Sequence, residues 1–112
     1  MMNSNLKYYL QYTGIDSFQK LYFILFLYQN PDLKGTVQEF AKRLYFADTV
    51  FLEEIITDLQ STGLIERIEN YYKLCNQPHV ISLLGNLAQA FDDPLTRQEL
   101  FQILPNQPVL AA

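Results

Sequence analysis

Leu52, Ile55, Ile56 and Leu59 recur at intervals of three, four and seven, and the stripe stops at Gly63. That spacing places four aliphatic side chains on one side of an α-helix. Glu53, Glu54, Thr57 and Asp58 fall on the other side. Asp48 is the expected N-cap, and Gly63 stands where a helix usually ends in a left-handed residue. With Gly63 at C′, Leu64 is C″ and Leu59 is C3, and a Schellman closure brings these two leucines into contact. Two β-prone runs follow, residues 64–68 and 71–75, around the polar pair Glu69-Asn70. They read as a hairpin, with Asn70 expected to supply the positive φ of its tight turn.

The segments on either side are helical in pattern. Asp16 or Ser17 offers an N-cap for Phe18–Gln29, a run so apolar that it must be buried on more than one side. Asn30-Pro31-Asp32 ends it, because proline disfavours helix at the residue before it, and a loop is expected to continue to Gly35. Thr36 and Glu39 form a capping box for a short helix reaching Leu44 or Tyr45. Val37, Phe40, Ala41 and Leu44 point inward there, and Gln38, Glu39, Lys42 and Arg43 outward. Pro78 opens a helix with Val80, Leu84, Leu87, Ala88 and Phe91 on one stripe, and Asp92-Asp93-Pro94 breaks it. Thr96 and Glu99 predict a second capping box, with Leu95 and Leu100 as its hydrophobic staple. Residues 5–12 are apolar and aromatic and fit a short helix or an extended arm; residues 105–112 read as a loose tail.

Composition limits what such a chain can do. Hydrophobic residues make up 49% and charged residues 18%, so a core can be built and disorder is not expected. The longest apolar run, residues 21–28, is shorter than the ~20 residues a membrane span needs. No signal peptide is read at the N-terminus. The single cysteine, Cys75, makes neither an intrachain disulfide nor a metal cluster, which points to the cytoplasm. No cofactor or metal is expected. Glycine-rich phosphate loops, paired-histidine helices and nucleophile elbows are absent from the sequence, so it is not read as an enzyme. His79, the one histidine, follows Pro78 at a helix start and reads as an exposed first-turn residue. Cys75 reads as a small buried hydrophobe.

The order of elements is helix, helix, turn, helix, hairpin, helix. Val37, Ala41 and Leu44, then Leu52, Ile56 and Leu59, then Gly63-Leu64-Ile65-Glu66-Arg67, with Tyr72 and Leu74 on the returning strand, resemble the winged helix-turn-helix superfamily. The likeness is nearest to the MarR-type bacterial regulators and covers residues 36–75. It implies a single mainly α domain over residues 1–112, with a three-helix core and a two-stranded wing. Extra terminal helices would lie at about residues 16–30 and 78–104.

Two functions follow. The resemblance implies a DNA-binding transcription regulator acting as a homodimer through its terminal helices. The third helix would enter the major groove with Thr49, Val50, Glu53 and Thr57 toward bases. Thr36, Lys42, Arg43, Arg67 and Lys73 would touch phosphates of the duplex DNA, with Lys34 in the preceding loop as a further cation. The alternative is a protein–protein interaction module that docks an unknown protein partner through Tyr45, Phe46, Phe51, Glu53 and Glu54. The net charge of −4 and the lack of any Lys or Arg between Asp48 and Thr62 count toward the alternative, because phosphate contacts need cations; the resemblance rests on the segment that would read DNA and puts the regulator first. Tyr8, Tyr9 and Tyr12 have only Lys7 beside them and read as packing or subunit-interface residues rather than base-stacking ones. The apolar surface of the terminal helices exceeds what one small domain can bury, and a homodimer is expected.

Overall fold

The computed structural model describes residues 10–104. The readings of Lys7, Tyr8, Tyr9 and the tail at 105–112 lie outside them. Residues 10–13 are helical. The main elements are α1 (Phe18–Gln29), β1 (Lys34–Gly35), α2 (Val37–Leu44), α3 (Thr49–Ser61), β2 (Ile65–Ile68), β3 (Tyr71–Leu74), α4 (Pro78–Asp92) and α5 (Pro94–Ile103). The chain is thus mainly helical with a small antiparallel sheet.

Helix α1 runs through the middle. Leu21, Phe23, Ile24 and Leu27 are fully buried, and the helix packs against α4, β3 and α3. Ser17 caps it by accepting from the Lys20 N–H at 3.2 Å. The Phe23 ring meets Phe40 of α2 edge-on, with centroids 5.5 Å apart. Helix α4 crosses α1 closely enough that a β-carbon at Gly85 would stand 3.0 Å from the Tyr28 hydroxyl.

The caps of α2 and α3 form as the residue types dictate. Glu39 N–H donates to Thr36 Oγ1 at 3.2 Å, and Glu39 Oε1 accepts from Thr36 N–H at 2.9 Å. Asp48 Oδ1 accepts from the N–H groups of Val50 and Phe51. Such caps stabilise a helix by about 1 kcal/mol each. At the far end of α3, Gly63 has φ +86°. Its N–H donates to Gln60 O, and the Leu64 N–H donates to Leu59 O, both at 3.0 Å. This is the expected Schellman closure, and it hands the chain to β2 with Leu59 and Leu64 both buried.

Three details differ from the sequence reading. The sheet has three strands, in the order β1-β3-β2, rather than two. Lys34 and Gly35 pair with Lys73 and Tyr72. A two-residue strand is too short to show a period, and Gly35 lies so close to the Phe40 ring (3.3 Å from a β-carbon position) that a side chain would crowd it. In the hairpin turn the left-handed residue is Glu69, φ 58°, and not Asn70. The Arg67 Nε–H donates to Glu69 O at 2.8 Å and braces that conformation. Helix α5 starts two residues before Thr96, with Pro94 in its first turn and Asp93 as N-cap. Asp93 accepts from the Thr96 N–H and hydroxyl at 2.9 and 2.6 Å, so Thr96 is a buried third residue of the helix and not its cap. Proline is favoured at a first helical position because it lacks only an N–H that would go unpaired anyway. Leu95 is 74% exposed and staples nothing.

Candidate recognition surface

Helices α2 and α3 are joined by four residues, and the first of these sets the surface. Tyr45 closes α2 in the left-handed region, φ 60° and ψ 37°, with its N–H donating to Ala41 O. That geometry is uncommon for a bulky residue. It turns the chain sharply and leaves the Tyr45 side chain in solvent, 92% exposed. Phe46 then folds back, half-buried on the core, and lies against half-buried Phe51 with ring centroids 6.4 Å apart. Of the three aromatics read as a docking group, two are therefore committed to packing and Tyr45 alone stands open.

Along α3 the inward stripe is buried and the outward residues are free. Thr49, Val50, Glu53, Glu54 and Thr57 are exposed, with Val50 at 63%. Thr49, Glu53 and Thr57 are one turn apart on the same side, so the structure does bring the proposed reading residues together. Lys42 and Arg43 are exposed on the last turn of α2, where a helix C-terminus favours cations. Thr36 is occupied as the N-cap of α2.

The hairpin separates its two cations. Glu66 pairs with Lys73 and Arg67 with Tyr72, and directly paired residues share a sheet face. Lys73 therefore shares the outer face with Lys34, Glu66, Tyr71 and Ile68. Arg67 shares the inner face with Tyr72, whose ring centroid is 5.9 Å from its guanidinium. Lys34 and Lys73 stand side by side, and Lys34 Nζ lies 5.5 Å from the Tyr71 ring. Two like charges in direct register oppose each other.

Asp58, on the flank of α3, is engaged elsewhere. Lys20 Nζ lies 2.9 Å from Asp58 and 2.9 Å from Asp16. Burial pushes the Lys20 ammonium toward a lower pKa, but hydrogen bonds from it to the two carboxylates outweigh that and hold it above its ordinary value. Nothing in the helical period of α1 marks Lys20 as the residue that ties α1 to α3; the pairing comes from tertiary approach. On α5, the hydroxyl and then the N–H of Thr96 hold the Asp93 carboxyl below its usual range.

A second surface was not legible as a unit. Phe18 of α1 contacts Phe101 of α5 (5.0 Å), Phe91 of α4 (6.2 Å) and Tyr22 (6.4 Å). Tyr22 and Phe101 are 55% and 51% exposed. Arg97 stands over Phe91, and its Nε–H donates to the Phe91 carbonyl at 2.8 Å. Beside the rings lies a groove of about 120 Å³ floored by Leu25, Phe26 and Leu44. The spacing of Phe18 and Tyr22 hints at it, but their meeting with Phe91 and Phe101 depends on how α5 folds back.

Among the described residues, no group of His, Cys, Asp and Glu side chains could hold a metal ion. No described helix is long and apolar enough to cross a membrane. No protein-family model, curated protein or solved structure matches the chain.

Proposed function

We propose that the chain is a non-catalytic winged-helix module of the cytoplasm that docks another protein through the outward face of α3 and the Tyr45 turn. One observation carries this reading. The helix at the recognition position presents Val50 to solvent on the same side as Glu53 and Glu54, none of its residues is a cation, and the turn that leads into it exposes Tyr45. Exposed apolar side chains of this kind suit a protein interface. Carboxylates in the same place would face the phosphates of a duplex, where affinity comes from neutralising charge.

The MarR-like reading, DNA binding as a homodimer, draws its support from the exposed Lys42 and Arg43 next to α3. It is weakened by the register that sends Arg67 and Lys73 to opposite sheet faces. Fluorescence anisotropy with a random-sequence duplex across a salt series separates the two. The docking reading expects no binding even at low salt. Binding that weakens steeply with salt contradicts it and restores the regulator.

We propose further that the module self-associates through the aromatic face of α1, α4 and α5. Half-exposed rings and an adjacent groove give that face both a knob and a hole, as a two-fold interface requires. Arg97 is held on this face by the Phe91 carbonyl and ring. Light scattering at micromolar concentration is expected to give a dimer, and Phe101→Asp a monomer. A wild-type monomer contradicts the proposal.

A further inference from the structure

Resting on the docking reading, the electrostatics of α3 narrow the partner. Val50, Glu53, Glu54 and Thr57 recur on the solvent side at helical spacing, so the free face is a two-turn ridge, about 10 Å long. Tyr45, on the turn that leads into α3, is 92% exposed, and Val50 in the first turn of α3 is 63% exposed. These two supply an apolar seat. Glu53 and Glu54 flank it, both exposed, and no cation of α3 offsets them. Asp58 is paired with Lys20. Lys42 and Arg43 are exposed in the last turn of α2, which precedes Tyr45.

We infer that the partner is an amphipathic helix whose apolar stripe is bordered by Lys or Arg. The stripe covers Tyr45 and Val50, and the cations meet Glu53 and Glu54. A partner with carboxylates at that border meets like charge, which costs affinity and gives discrimination. Recognition by anchors at helical spacing is a recurrent mode for such segments.

The test uses the full chain, labelled with ¹⁵N, and two synthetic helical peptides of about 18 residues, five turns. One is built from Leu and Lys in an amphipathic pattern, the other from Leu and Glu in the same pattern. The Lys peptide is expected to move the amides of residues 45–57, with an affinity falling about tenfold between low and ~0.5 M salt as the charges are screened. Glu53→Lys/Glu54→Lys should abolish that binding and admit the Glu peptide. Both substitutions are on exposed positions, and an unchanged amide spectrum elsewhere verifies folding. Equal binding of both peptides at residues 45–57 overturns the inference about charge while leaving the docking surface in place. Binding of the Lys peptide only elsewhere, or not at all, also overturns it. If duplex DNA moves residues 45–57 and neither peptide does, the docking reading itself fails.

Discussion

Phe23→Ala is expected to cost about 3–5 kcal/mol of folding stability, the range for emptying a buried aromatic site. Phe23 is fully buried at the centre of α1, and its ring closes on Phe40 at 5.5 Å. Neighbours on α2, α3 and β3 are themselves packed, so the space cannot collapse without moving whole elements. For a chain of this size the thermal midpoint should fall by roughly 10–30 °C. Calorimetry or denaturant unfolding measures it. A loss below about 1 kcal/mol, the effect of an ordinary surface substitution, would mean that α1 does not sit in the core as described.

Gly14→Ala should cost about 2–3 kcal/mol, from two separable sources. Gly14 has φ +74°, which disfavours any side chain. An added β-carbon would also stand 2.7 Å from Thr62 Cγ2. Thr62 is held at the C-cap of α3, its hydroxyl donating to Leu59 O at 3.1 Å. Gly63→Ala is the internal comparison. Gly63 has φ +86° and nothing within 4 Å of a β-carbon, so only the backbone cost of about 1 kcal/mol applies. Adding Thr62→Ser to Gly14→Ala removes the methyl in the way and should recover the difference. Equal costs for the two glycines, measured by denaturant unfolding, contradict the contact between residues 13–15 and the end of α3.

Much of the architecture is legible because its signals are local. The spacing of Leu52, Ile55, Ile56 and Leu59 with Gly63 defines α3 and its Schellman end. Thr36 with Glu39, and Asp48, mark two helix starts through bonds made within three residues. The hairpin is legible from two β-prone runs around a two-residue turn. What escapes depends on approach between distant segments. Strand β1 exists only because β3 lies beside Lys34 and Gly35. The start of α5 at Pro94 follows from Asp93 acting as a cap, where Asp92-Asp93-Pro94 also reads as a breaker. The Lys20–Asp58 pair and the Phe18–Phe101 contact join residues 38 and 83 positions apart, beyond any periodicity.

The candidate surface divides in the same way. Exposure of Thr49, Val50, Glu53 and Thr57 follows from the helical period of α3. The separation of Arg67 from Lys73 follows from strand register, and the freedom of Tyr45 from one left-handed backbone position. Neither is written in composition. Together they put Arg67 and Lys73 on opposite faces of the sheet and leave Tyr45 in solvent.

The most direct measurement is photo-crosslinking in the cells that make the protein, with a benzophenone side chain in place of Val50 and, as a control away from both proposed interfaces, in place of exposed Asn76. The account predicts an adduct at Val50 that resists nuclease and yields to protease, with no such adduct at Asn76. An adduct at Val50 that nuclease removes, or none there while Asn76 crosslinks, contradicts it.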